Sequence, residues 1–469
     1  MLRHAAALAA SALAASATIA LAGPLTPPPG APAPTNKTLN QVQPGVPLED
    51  TGTTIVISSP GFYYLTENVS STGVGISIQD TGVTLDLNGF TVIGNLSGNT
   101  THHGISISPV ADDRPITIRN GHVHRFSGDG VTAIFSILNT VLEDVHISDC
   151  GVNGVNIAGN LTATNVTCID NNDNGFFVQG EALMEKCVAR SNTDNGFEVE
   201  TGALRDCIAS NNGDSGFELG LLMLDAGSIH IADSIAEGNN DRGIYVNNNS
   251  VITGCLAITN GSAGIQGTRD VVIDNCASRF NTQWGFVTGF NTAITNCVAA
   301  QNGDDGFNIG SGSGISNCGA YQNGDIGFDI GLGCGISDCG ARDNNAAGFE
   351  IGAASAVINC GATVNGTDGF TLQSDTRIFH CTADGNGTDA AANPTPAGIR
   401  SVSDCIIDSC HVTDNDIGIS ATTGTLTVRC SAAGNSVANY EFAAGAEYGA
   451  IINATPGFTS SNAWANFEF

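Results

Sequence analysis

The sequence predicts an all-β solenoid, one rod of stacked coils of about 21 residues, and three observations carry that prediction. The stretch CVARSNTDNGFEVE, Cys187 to Glu200, is written again with few changes as CIASNNGDSGFELG, Cys207 to Gly220. Glycines followed by Phe or Ile recur at Gly243, Gly264, Gly285, Gly306, Gly327, Gly348 and Gly369, every step 21 residues. Cysteines keep the same beat from Cys255 to Cys381, each with an asparagine five residues later, from Asn260 to Asn386.

A period this short, with a turn signal every six or so residues, leaves no room for a helix of ordinary length, and the recurrent leucines of leucine-rich repeats are missing. Three short strands per coil fit the unit. Alternation then points Phe197 and Val199 inward and Glu198 and Glu200 outward, and the next coil does the same with Phe217, Leu219 and Glu218. Coils stacked about 4.8 Å apart turn each alignment column into a file of like residues. Phe and Ile files make the core, glycine lets the chain turn where a Cβ would clash, and asparagine is expected to take left-handed turn conformations while bonding its amide to the rungs on either side. The same asparagine file contains the glycosylation sequons NGS at Asn260 and NGT at Asn365 and Asn386. The structural role is favoured because the column persists where no sequon follows.

The first 22 residues have a short basic start, an Ala/Leu-rich middle and Ala20-Leu21-Ala22 at the end, which reads as a secretory signal. Residues 23–45 are a Pro-rich linker, 46–436 the solenoid, and 437–469, where NYEF and NAWANFEF leave the repeat, a cap on the last open edge, so that the rod is capped at both ends. The formal net charge is −30 and the lysines are Lys37 and Lys186, so nucleic acid is excluded as a partner. A polyanionic sugar needs a bridging divalent cation. No later stretch is long and apolar enough for a transmembrane span, and the expected location is secreted or cell-surface.

Fifteen cysteines in an exported chain suggest disulfides, but thirteen are expected to share one file, with Ser234 filling its gap, where parallel neighbours point the same way. Small buried hydrophobes are the better reading. Cys334 and Cys405 lie off the file, each five residues before a file cysteine, which leaves Cys334–Cys339 and Cys405–Cys410 open as pairs.

The repeat, together with the N-terminal coils SSPGFYYLTENV, VTLDLNGFTVIG (Val83 to Gly94) and ITIRNGHVHRFSGDGV (Ile116 to Val131), resembles the right-handed parallel β-helix proteins of the pectin-lyase-like superfamily over about residues 50 to 435. The resemblance implies the fold and a substrate cleft on the outer face of one parallel sheet, flanked by inserted loops. It does not imply an activity, because the fold carries lyases, hydrolases, epimerases, adhesins and structural proteins. NTD at Asn192 to Asp194 resembles a polygalacturonase motif, but the paired Asp, Gly-His-Gly and Arg-x-Lys parts that should follow are absent, and no Arg or Lys is expected on the sheet beside Glu198 and Glu218.

Two insertions break the beat, Leu219 to Gly227 and around Gly387 to Ala397. Beside the first stand the candidate catalytic residues Glu198, Glu200 and Glu218, with Tyr245 in the next coil as a ligand-binding candidate. Glu198 and Glu218 share a file, so their carboxylates should lie about 5 Å apart, a spacing suited to a retaining glycosidase pair or to a cation. Asp329 and Glu350 form a second stacked pair. Asp194, Asp214 and Asp241 each fall seven residues after the column position, like Asp304 and Asp325, and read as Asx turns or as a calcium ladder. His122 and His146, with Arg119 and Arg125 nearby, share a column and suggest a basic site. Three functions follow: a binder of extracellular polysaccharide or a surface scaffold, a polysaccharide lyase or glycoside hydrolase using the outward acids, and an adhesin for protein partners.

Overall fold

The computed structural model describes residues 45–469 except 97–100, 110–113, 135–138, 221–227, 390–394 and 454–459; the expected leader, nearly all of the linker, most of the first insertion and the middle of the second lie outside the described residues. Every described element is a β-strand, most of them three residues long, and every pairing is parallel. The chain is a parallel β-solenoid with coils of about 21 residues. In a typical coil, Phe286–Thr288 lies in the first sheet, Ala293–Thr295 in the second and Val298–Ala300 in the third. Each pairs with the strand one coil on: Phe286 with Phe307, Ile294 with Ile315, Ala299 with Ala320.

The core follows from that register. Phe286, Phe307, Phe328, Phe349 and Phe370 are fully buried, with ring centroids 4.7 Å apart and nearly parallel planes. The second and third sheets contribute files of Ile and of Ala, so a large side chain from one sheet faces small ones from another.

The file asparagines are buried and bonded on every side. Asn323 accepts at Oδ1 from both the backbone N–H (3.2 Å) and Nδ2 (3.0 Å) of Asn302, and its own Nδ2 donates to Asn344 Oδ1 (2.9 Å) and the Ala299 carbonyl (3.3 Å). Asn260 and Asn365 are wholly buried in the same way, which removes them as acceptors of a glycan in the folded chain. The left-handed turn sits one residue earlier than expected. Thr259, Phe280, Gln301, Gln322, Asp343 and Val364, each just before a file asparagine, have φ between 54° and 57°. The marker glycines answer to crowding instead: a Cβ on Gly285 would come within 2.5 Å of the Gly306 carbonyl and 2.8 Å of Asn302 Nδ2.

All fifteen cysteines are free and buried. Both disulfide pairs left open by the sequence are therefore ruled out. Cys334 belongs to the turn before the second sheet, in a file with Ser313 and Ser355: the Ser313 N–H donates to its Sγ, and its own N–H donates to Ser355 Oγ. Cys405 occupies the same file, where its N–H donates to Thr425 Oγ1. Cys339 and Cys410 stand one turn later, before the third sheet. The file of like cysteines is also shorter than expected. It starts at Cys187, because Cys168 pairs with Ala189 in the alanine file and Cys150 takes the asparagine position, its N–H donating to Asn171 Oδ1. Ser234 fills the gap as expected, accepting from the Cys207 N–H. Burial pushes the Cys150 thiol up to about 12 and raises Cys334 and Cys405, so these sulfurs stay protonated.

Parallel pairing continues past residue 436: Ala438–Phe442 pairs with Ile417–Ala421, and Asn466–Glu468 with Ser431–Ala433. Asn466 here takes the place of a file cysteine, accepting from the Cys430 N–H, and the Tyr440 hydroxyl donates to the Cys430 and Phe467 carbonyls. No helix among the described residues is long and apolar enough to cross a membrane.

Candidate functional site

The middle residue of each first-sheet strand points away from the core, and register lines these residues into one outward file. Over six coils it reads Asn156, Phe177, Glu198, Glu218, Tyr245, Gln266. Two carboxylates on adjacent rungs are thus flanked by an aromatic ring on each side. The turn leading into the same sheet carries a parallel acidic file. The Asp194 N–H donates to the Asp173 carbonyl (3.3 Å), Asp214 to Asp194 (3.2 Å), and Asp241 to Asp214 (3.2 Å). The sequence-predicted Glu198, Glu218, Tyr245, Asp194, Asp214 and Asp241 therefore meet on one face, joined by Asp173, which the repeat had not singled out.

Glu200 lies at a break in the pattern. Opposite it the previous coil carries extra residues, and the register with that coil shifts between Val178 and Glu181. Glu200 is 7% exposed, in sequence just beyond the buried Val199. Glu218 departs from expectation too, being 7% exposed where a solvated acid was expected.

The reason for the burial of Glu218 is Arg242. This residue sits in the turn immediately before the Tyr245 strand, and its Nη1 lies 3.7 Å from Glu218 Oε1 while its Nε donates to Asp241 at 3.0 Å. The guanidinium also lies 4.6 Å from the Tyr245 ring centroid. The strands were searched for a cation, and the one present is supplied by the turn; the signal was Arg242 itself, directly before the marker glycine Gly243, a position that no other coil fills with Arg or Lys.

Electrostatics divides the acids. Burial raises the Glu198 carboxyl above the usual range, and the charges of Asp194 and Glu218 add to this, against a bond from Asn174 Nδ2 at 3.1 Å. Burial likewise raises Glu218, with the charge of Arg242 pulling the other way. Asp194 is raised by burial and by Asp173, and Asp214 by burial, Asp241 and Asp194. The face is thus a set of partly desolvated carboxyls that repel one another, with one arginine at its centre.

Further along, the outward file reads Asn308, Asp329, Glu350, Thr371, confirming the register of the second acid pair. Burial raises Asp329, and Glu350 and Asp325 add to it. Among the described residues, three carboxylates converge at Asp304, Asp305 and Asp325, with oxygens all within 4.8 Å of one another, three coils beyond Asp241. That is where donor oxygens come together best for a cation, farther along the same edge than the expected Asp194, Asp214 and Asp241. Of the expected basic site, His122 and His146 are in register on adjacent strands of the third sheet.

No family model matches the chain, and no curated protein matches it in sequence. Among solved structures it is similar to the A-module of the mannuronan C-5 epimerase AlgE6 of Azotobacter vinelandii, at 16% identity over 79% of this chain and 91% of that one, with a TM-score of 0.35. It is also similar to the Agl-KA catalytic domain (12% identity, 78% of this chain and 62% of that one, TM-score 0.30) and to the periplasmic alginate epimerase AlgG (11%, 82% and 79%, TM-score 0.25). These likenesses are too distant to bear on what the chain does.

Proposed function

We propose that this is an exported protein that binds an extracellular polysaccharide along the first-sheet face around Glu198, Glu218 and Tyr245. The observation that supports this reading is the outward file itself: two carboxylates on neighbouring rungs, Phe177 and Tyr245 on either side, and Arg242 beside them. Carboxylates accept bonds from sugar hydroxyls, and aromatic rings take the apolar faces of sugars. With a net charge of −30 the preferred polymer is neutral, or anionic and bridged by calcium held along Asp194, Asp214 and Asp241 or at Asp304, Asp305 and Asp325. Asp329 and Glu350 extend the binding face. Export rests on the leader-like first 22 residues.

A second reading, glycoside hydrolase or polysaccharide lyase, is favoured by the Glu198–Glu218 pair. Stacked carboxyls with raised affinity for protons are suited to hold one proton between them, so that one serves as acid while the other acts as base or nucleophile. Arg242 is placed to stabilise the ionised partner. The test is a polysaccharide panel assayed for binding, for reducing ends and for the absorbance of unsaturated products, repeated with Glu198→Gln and Glu218→Gln. Binding without turnover supports the binder; turnover abolished in both variants supports the enzyme. Failure to retain any glycan, with cell binding that glycans do not compete, would replace both with an adhesin.

A further inference from the structure

We infer that His122 and His146 form a binding site for a divalent transition-metal cation of the zinc and copper class. The two residues are register partners on the strands Ile116–His124 and Asn139–Ser148, and their ring centroids lie 5.3 Å apart with the planes tilted by 60°. Side chains from in-register positions of adjacent parallel strands leave the same face about 4.8 Å apart, so both imidazoles can turn a nitrogen toward one ion at about 2.0–2.1 Å.

Three other histidines have a ring nitrogen committed to a neighbour. His103 Nδ1 is held at Asp129, His124 Nδ1 at Ser148 and Asp149, and His411 Nδ1 at Ser431. Among the described residues, neither His122 nor His146 makes a hydrogen bond to the protein through its ring, so all four ring nitrogens are uncommitted. Between and beside them lies an open cavity of about 340 Å³, also lined by Asn120, Asp144 and Asn165. Asp144, whose Oδ1 accepts from Asn165 Nδ2 at 2.6 Å, lines the same cavity.

Imidazole pairs select zinc, copper and nickel, whereas the all-oxygen acids of the first sheet suit calcium. The two sites therefore differ in chemistry as well as in position.

The test uses the untagged chain, stripped with chelator and dialysed, titrated calorimetrically with Zn²⁺ at neutral pH and examined by electron paramagnetic resonance with one equivalent of Cu²⁺. One saturable Zn²⁺ site is expected, unaffected by millimolar Ca²⁺ and by His230→Ala, and weakened about tenfold or more by either His122→Ala or His146→Ala. The Cu²⁺ spectrum should show two nitrogen ligands in the parent and one in each variant. Circular dichroism and the melting midpoint establish that the variants are folded. Zn²⁺ binding of equal strength in folded parent and variants, or a Cu²⁺ spectrum without paired nitrogens, overturns the assignment.

Discussion

Asn323 shows how one residue type repeated at one position holds the rod together. Its amide saturates four bonding positions in a water-free turn, and removing it strands the backbone N–H and one Nδ2 hydrogen of Asn302 without their acceptor. At about 1–3 kcal/mol per orphaned buried group, Asn323→Ala should cost about 3 kcal/mol in urea unfolding. Asn160→Ala breaks two exposed bonds, one donated to Asn139 Oδ1 and one accepted from the Glu181 N–H, and should cost well under about 3 kcal/mol because water replaces both. Equal losses would show that the buried file adds nothing beyond a surface contact. Val364 is the complementary case, a β-branched residue held at φ 54° and 39% exposed, in a turn where the next coil uses Gly385. Because the left-handed region costs a branched residue about 1–2 kcal/mol and asparagine less, Val364→Asn should raise stability by about 1 kcal/mol. A melting midpoint that falls would refute the strain argument. The periodic column correctly announced a buried asparagine, but only backbone angles showed that its predecessor makes the turn.

At the scale of strands and turns, what matters is which files run side by side. Asp305 sits in the turn before Phe307, 6% exposed, bonded by the Ile326 N–H and by Asn308 Nδ2, and near Asp304 and Asp329. Burial lifts its carboxyl from 3.8 to about 6, helped by those neighbours and opposed by the two bonds. The folded chain thus holds this proton more tightly than the unfolded one, so the contribution to stability is fully present below about pH 4 and is lost as pH rises through 6. Asp305→Asn should therefore gain stability relative to the parent between pH 4 and pH 7, visible as a flatter dependence of the melting midpoint on pH. Parallel curves would remove Asp305 from the titration. The acid pair Glu198 and Glu218 was legible from spacing, since a period of two and a period of 21 together fix both face and file. The burial of Glu200 was not legible, because an irregularity in pairing depends on the neighbouring coil, which no single strand's alternation records.

For the whole molecule, a rod in which each coil touches only its neighbours spreads its stability along the axis, so a ligand that ties several coils together acts on all of them. Calcium is such a ligand if the acidic edge holds it. Restoring Ca²⁺ to chelator-treated chain at pH 7 should raise the melting midpoint, by about 2.7 kcal/mol of stabilisation at a hundred times the dissociation constant. Loss of that gain in Asp304→Asn and Asp325→Asn, with Asp194→Asn and Asp214→Asn unaffected, would place the ion where three carboxylates converge; the reverse pattern would place it beside Glu198 and Glu218. No change in any of them would leave the acidic edge without an ion.

The linear sequence alone determined the coil length, the all-β class and the composition of the core, because a repeat that must bury its apolar residues against copies of itself writes the register into its own period. The tertiary structure decided what lies beside each outward acid: Arg242 over Tyr245 and against Glu218, Glu200 buried beside a register shift, Cys334 among serines, and Asp304, Asp305 and Asp325 drawn together. Those neighbours come from different files and from turns, whose relative positions depend on how the chain bends between strands, and bending is set by packing and steric contact across coils, which a column of aligned letters does not contain.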